Sequence, residues 1–423
     1  MTEDSAETIA VLGAGPIGLE AALYARYLGY EVALYEQRTV AQNVLNWGHV
    51  RMFTPWELNI SSLGLAAILA QFGREFRPPK LEEHPTGAEW AERYLHLLAG
   101  TDLLGDSLRE RHRILAVSRE HFLKHEAPGS PVRNESQFRL LMIDDKGRER
   151  VEHAEYVLDC TGVYGQPNSV GAGGIPALGE SVFEDYIDYH IPDCLGRDRA
   201  HFAGRHTLVV GSGYSAATVV CALAELATAE PGTRITWLTR RIPEAGAGPI
   251  ARIEGDRLPA RSGLAERANQ VAAEGKLVEH LAGLRVHAVN RRDDRFVLDL
   301  ADDDDEHREF TCDILVAHCG FHADDSLHRQ LQIHLCYATG GPMRLASSLL
   351  AQSSVDCLDL KSSGPAALCS PEADYYILGA KSYGSNPHFL YLAGLNQIRD
   401  VFRIIAGRDT LDVYADIAAG GRR

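Results

Sequence analysis

Between Thr8 and Leu12 the chain runs through consecutive apolar residues without alternation, which reads as a short strand buried on both faces, as in a parallel sheet. A helical pattern from Leu19 to Leu28 and a second strand from Glu31 to Tyr35 follow. The same order recurs near the middle, with a strand at Thr207–Val210, a helical run at Ala217–Leu226 and a strand at Arg234–Leu238. Two further apolar runs, Tyr156–Gly162 and Asp313–Gly320, share one shape, a strand closed by a glycine. After an irregular, serine-rich stretch, Tyr375–Gly384 reads as a closing strand. The segment beginning Ala393-Gly394-Leu395-Asn396-Gln397 opens a helix with Ile398, Val401, Phe402 and Ile405 at helical spacing. Strands alternating with helices predict an α/β fold with parallel sheets.

What joins each first strand to its helix narrows the chemistry. Gly13-Ala14-Gly15-Pro16-Ile17-Gly18 follows the first strand directly. In such a turn Gly13 permits the tight bend and Gly15 lets the backbone approach a pyrophosphate. Gly18 lets helix and strand pack closely, while the helix N-terminus offers unpaired N–H groups to phosphate. Glu36, at the end of the second strand, stands where an acidic side chain accepts hydrogen bonds from a ribose. Strand, turn, helix, strand and acid in that order predict a dinucleotide site.

The second turn reads Gly211-Ser212-Gly213-Tyr214-Ser215-Ala216, with alanine in the third glycine position. Its following strand ends in Thr239-Arg240-Arg241 rather than in an acid. Guanidinium groups there match a 2′-phosphate bidentately, so NADPH is expected over NADH. By analogy of fold, a turn in the first residues of a chain that carries a second one later is the FAD site.

Composition removes other classes of function. The 423 residues are 45% hydrophobic and 24% charged, ordinary for a folded, enzyme-sized protein of two or three units. A formal net charge of −16 disfavours nucleic acid and anionic membrane surfaces as partners. The acidic N-terminus lacks a basic leader pattern, and no apolar stretch reaches the length of a membrane span, so a cytoplasmic protein is expected. The eight cysteines include no C-x-x-C pair and are expected to be mostly buried thiols, Cys160, Cys312 and Cys319 among them. Asp302–Asp305 reads as a solvated hairpin loop. His318, His322, His328 and His334 lack a metal-ligand spacing and are expected at the surface. No metal site and no acid–base or nucleophilic constellation is singled out.

Thr161-Gly162-Val163-Tyr164-Gly165-Gln166-Pro167 resembles the threonine–glycine linker of flavin-containing monooxygenases and thioredoxin-reductase-like proteins. Gly213-Tyr214-Ser215-Ala216-Ala217 is similar to the Gly-Asn-Ser-Ala-Ala of monooxygenases and bacillithiol-disulfide-reductase-like proteins. The resemblance implies two Rossmann-like domains, an NADPH domain over residues 168–310 being inserted in an FAD domain made of residues 1–167 and 311–423. The two strand–glycine runs would mark where the chain leaves the FAD domain and where it returns.

It further implies an FAD site of Gly13, Gly15, Gly18, Glu36, Arg38, Arg51, Gly162, Gly394 and Gln397. The second site would comprise Gly211, Gly213, Ser215, Arg240 and Arg241. The loop Asn46–Pro55 would flank the flavin ring. In that family the helix at Gly394 points its positive end at the flavin pyrimidine. Two departures are visible: Gly379-Ala380 replaces the family's Gly-Asp, and Phe183–His190 lacks the glycine and spacing of the monooxygenase fingerprint.

The activity implied is hydride transfer from NADPH to FAD, the flavin carrying the chemistry. A monooxygenase using molecular oxygen on a small-molecule substrate is favoured, because a reductase of the usual kind needs a cysteine pair. The alternatives are a disulfide- or quinone-type reductase without C-x-x-C, an NADPH oxidase releasing hydrogen peroxide, and a non-catalytic FAD-binding protein. The residues leave the oligomeric state open, with a homodimer as one option.

Overall fold

The computed structural model describes residues 7–352, 358 and 362–420. The chain forms two compact units, one from residues 1–165 and 322–423, the other from residues 166–321.

In the first unit the strand Thr8–Leu12 lies at the centre of a five-stranded parallel sheet. Tyr156–Asp159 and Tyr375–Ile377 flank it on one side, Glu31–Glu36 and Leu108–Glu110 on the other. Ile9, Ala10, Val11 and Leu12 are at most 1% exposed, which is why the apolar run shows no alternation. The helix Pro16–Tyr27 is buried at every position from Ile17 to Ala25 and packs with Trp56, Trp90, Tyr94 and Phe402 in the larger core. An antiparallel sheet of Arg113–Arg119, Phe138–Ile143 and Glu149–Ala154 completes the unit, with the helices Ser62–Phe72 and Tyr391–Ile405.

The second unit repeats this plan. His206–Val210 and Arg234–Thr239 are the inner strands of a four-stranded parallel sheet edged by Val278–Ala282 and Ile314–Ala317. The helix Tyr214–Ala229 follows the first of them, and Arg285–Arg292, Arg295–Ala301 and His307–Cys312 form the antiparallel sheet. Asp302–Asp305 is the turn between the last two, in the solvated hairpin expected.

Three expectations need correction. Ile314–Ala317 does not open the returning segment: it pairs in parallel with Thr207–Val210 and closes the second sheet, so the unit boundary falls at 321/322 rather than near 310. Tyr156–Asp159 likewise stays in the first sheet, where it takes the equivalent place beside Thr8–Leu12, with Tyr375–Ile377 paired outside it as the edge. An apolar run ending in glycine has the same appearance in either sheet, so only the pairing separates the two assignments. Met343–Ala351 is a helix inside the stretch expected to be irregular, while 353–357 and 359–361 lie outside the described residues. His318 and His328 are buried, 7% and 4% exposed, and only His322 and His334 lie at the surface.

Candidate functional site

Each expected glycine has a separable structural reason. Gly13 has φ +94°, and a Cβ there would stand 2.9 Å from the carbonyl oxygen of Cys160. A Cβ on Gly18 would come within 1.8 Å of the Gly13 oxygen, so strand and helix meet only because that position is bare. Around Gly15 nothing lies within 4 Å of an added Cβ. That open space sits at the N-terminal cap of the helix Pro16–Tyr27, where no side chain satisfies the helix N–H groups. The cradle therefore fits a pyrophosphate.

Glu36 supports the turn from the neighbouring strand. Its carboxylate accepts from the Ala14 N–H at 2.9 Å and the Arg38 N–H at 2.8 Å. Burial raises its pKa, partly offset by those two hydrogen bonds. The Arg38 side chain is exposed, and its backbone N–H is what reaches the site. Gly162 takes φ +70° just beyond the Thr161 Cα that crowds Gly13. Gly394 is a contact glycine, since a Cβ would meet Ile17 Cδ1 at 2.2 Å where the helix Tyr391–Ile405 packs against the first helix. Gln397 is engaged by its own fold, accepting from the Gly379 N–H at 2.9 Å and donating to Ser382 Oγ at 2.8 Å. Arg51 is not brought to the turn: it donates to the His84 carbonyl and lies 3.8 Å from Glu89.

A charged cluster at the carboxyl ends of the first sheet was not anticipated. Asp159, fully buried, accepts from Lys381 Nζ at 2.7 Å, Tyr375 Oη at 2.8 Å and Thr161 Oγ1 at 2.6 Å. Lys381, 1% exposed, also donates to the Asp324 carbonyl at 2.8 Å and to Thr161 Oγ1 at 3.2 Å. Burial would raise the Asp159 pKa, but the Lys381 charge and the hydrogen bonds outweigh it and hold the carboxyl well below its usual range. His328 Nδ1 stands 3.8 Å from the same carboxylate. The one sequence signal was a lysine two residues past Gly379, where the resembling family carries an acid one residue past.

In the second unit Gly211 has φ +132°, and a Cβ there would stand 2.2 Å from the His318 carbonyl oxygen. Gly213 has nothing within 4 Å and caps the helix Tyr214–Ala229, with Ser215 in its first turn. Ala216 is fully buried in the third position. Arg240 and Arg241 are exposed beyond the strand Arg234–Thr239, and neither side chain makes a hydrogen bond or ion pair among the described residues. Two guanidiniums past the end of the strand that follows an open glycine turn fit a phosphorylated dinucleotide.

The described cysteines carry no disulfide. Burial raises the Cys160 thiol well above its usual value and pushes Cys312 and Cys319 up to about 12, so these sulfurs are protonated near neutral pH. Among the described residues no group of His, Cys, Asp and Glu could hold a metal ion, and no helix is long and apolar enough to cross a membrane.

No protein-family model matches the sequence, and no curated protein matches it either. Solved structures do. A bacillithiol disulfide reductase from Bacillus cereus superposes with TM-score 0.67 at 17% identity, over 95% of this chain and 99% of that one. The desferrioxamine-pathway cadaverine monooxygenase of Erwinia amylovora, bound to FAD, gives 0.64 at 14% identity over 97% and 96%. An ornithine N-hydroxylase from Kutzneria sp. 744, solved with reduced FAD, NADP+ and L-ornithine, gives 0.62 at 14% identity over 96% and 100%. At these identities the likeness concerns architecture, and the chain has the α/β fold with two Rossmann-like units that these oxidoreductases share.

Proposed function

We propose that this chain is an FAD-dependent NADPH oxidoreductase, holding FAD at the Gly13–Gly18 turn and NADPH at the Gly211–Ala216 turn. The observation that carries the reading is the pair of bare cradles at Gly15 and Gly213, each at a helix N-terminus without a side-chain cap. FAD, when bound, supplies acceptance of a hydride from NADPH and onward transfer of the electrons. In this chain Glu36 faces the ribose and is held in place by the Ala14 and Arg38 N–H groups. Gly18 sets the spacing of the first helix from the turn and Cys160, and Gly394 that of the two helices at Ile17. Arg240 and Arg241 receive the 2′-phosphate.

For the second half-reaction we favour oxygen insertion into a small molecule. The protonated state of the buried Cys160 and Cys312 and the half-buried Cys319 supports it, since a dithiol route needs a reactive thiolate. The likeness to two N-hydroxylating or amine monooxygenases is in keeping with that choice. A disulfide- or quinone-type reductase is the second reading, favoured by the somewhat greater likeness to a bacillithiol disulfide reductase.

Adding NADPH to the yellow protein with and without oxygen separates them. Bleaching without oxygen and oxygen uptake that exceeds peroxide release in the presence of substrate support insertion. One peroxide per NADPH with every candidate substrate removes it. Loss of turnover on replacing Cys160 or Cys319 with Ser, with the fold kept, favours the reductase. A colourless protein that takes up no FAD overturns the whole reading.

A further inference from the structure

The first unit also holds a cavity of about 250 Å³, lined by Arg51, Trp56, Glu83, His84, Glu89 and Arg93. Its walls are fixed by backbone. The segment from Val50 to Trp56 is tied to residues 83–87 through Met52 N–H to Pro85 O at 2.8 Å, Trp56 N–H to Glu83 O at 2.9 Å and Gly87 N–H to Val50 O at 3.0 Å. Glu89 is oriented by a capping box, accepting from the Thr86 N–H at 2.7 Å while its own N–H donates to Thr86 Oγ1.

Arg93 is placed by an unusual element. The helical stretch from Gly87 to Ala99 is interrupted by a π-helical turn at Ala91–Leu95, a feature that costs helix geometry and recurs at functional sites. The turn carries the Arg93 guanidinium over the indole of Trp56, 5.5 Å from its centroid, while Trp56 itself is 1% exposed. Among the described residues the Arg93 side chain makes no hydrogen bond or ion pair. Its charge is felt by Glu83 on the same cavity, but a guanidinium stacked on a buried ring with no hydrogen-bonded anion is a receptor for a carboxylate.

Glu83 and Glu89, with half-exposed carboxylates, line the same cavity, Glu89 3.8 Å from Arg51. Glu83 is tied on one side only, to Lys80 at 2.8 Å. Two guanidiniums and two carboxylates around one space call for a ligand bearing both signs. The volume lies below the roughly 300–1,000 Å³ of ordinary ligand pockets, which restricts the ligand to a small metabolite.

We propose that this cavity binds a small zwitterionic amino acid, its carboxylate on Arg93 and Arg51 and its ammonium on Glu83 and Glu89. The proposal goes beyond the nucleotide reading, because the binding it describes is read without turnover and without either glycine turn.

The test is calorimetry on the purified full chain with its flavin as isolated. The common L-amino acids are screened, and the best binder is compared with the analogues lacking its amine or its carboxylate. The expected result is binding at least tenfold tighter for the zwitterion than for either analogue, with a tenfold or greater loss in Arg93→Gln and a smaller loss in Glu83→Gln. Both residues are exposed, and an unchanged flavin spectrum and melting temperature confirm that the variants are folded. No heat with any amino acid, equal binding of the carboxylate analogue, or unchanged binding in Arg93→Gln would each overturn the proposal.

Discussion

The two units run one plan with different tolerances at the same places. In the first, a Cβ at the third glycine of the turn would lie 1.8 Å from the Gly13 oxygen, whereas the second unit carries a buried methyl, Ala216, at that position. The parallel strand paired beside the first one runs out into Asp159-Cys160-Thr161-Gly162 in one and into Ala317-His318-Cys319-Gly320 in the other. In both, the carbonyl of the second residue of the four crowds the first glycine of the turn. Only the first unit adds a buried ion pair there, Asp159 with Lys381, and only the first has the extra strand Tyr375–Ile377 that delivers the lysine. The backbone of a nucleotide turn is thus nearly invariant between units, and the side chains around it are where they diverge.

The sharpest way to separate the units is to fill one cradle at a time. Gly15→Val puts a branched side chain into the space around the first helix N-terminus and is expected to leave the protein without flavin, measured as loss of visible absorbance after desalting. Gly213→Val is expected to keep the flavin and lose NADP+ binding by calorimetry. Flavin retained in Gly15→Val would show that the two turns do not divide the cofactors as proposed.

Next in size is the ion pair that one unit has and the other lacks. Lys381→Met leaves Asp159 buried without its cation, a change that costs about 3–5 kcal/mol when a buried pair is broken. Chemical denaturation should show that loss. In the unmodified protein the folded pKa of Asp159 lies below its unfolded value near 3.9. Its contribution is therefore present above that pH and is lost as pH falls through the folded value. Lys381→Met should lose most of this acid sensitivity, and an unchanged stability would show the pair to be energetically idle.

The second unit carries the opposite case. Asp188 bridges to Val316 beside the last parallel strand, and burial, with Asp198 adding to it, raises its pKa to about 6. A carboxyl raised on folding contributes stability below its unfolded pKa, and that contribution is lost as pH rises through about 6. Asp188→Asn should therefore stabilise the protein at neutral pH by about 1–2 kcal/mol, after allowance for partial exposure, and flatten its stability between roughly pH 4 and 6. Denaturant midpoints across that range check it.

The most local effect expected is on cofactor choice. Replacing both Arg240 and Arg241 with Ala should weaken NADPH about tenfold or more and leave NADH nearly unchanged, since each charge-assisted contact is worth about 1.5–3 kcal/mol. Equal use of both cofactors by the unmodified protein would remove the 2′-phosphate assignment.

Much of this was legible in the residues, for a local reason. The bend at Gly13, the open space at Gly15 and the close packing at Gly18 follow from spacing because all three are demands made within a few residues of one another. Glu36 follows from the length of one helix and one strand. The strands themselves are apolar runs whose burial on both faces leaves one pattern, so their existence is visible and their partners are not. That is why Ile314–Ala317 was expected in the wrong unit, and why the burial of His318 and His328 had no signature.

The tertiary structure alone decided the rest. Asp159 and Lys381 are 222 residues apart, and neither neighbourhood announces a salt bridge. Arg51 reads as a flavin-side residue by its place in a loop, and only the backbone bridges between residues 50–56 and 83–87 show that it shares a cavity with Glu89 and Arg93. Local conformational limits are written in the residue types themselves, whereas a charge acquires its partner only when distant strands close the sheet around it.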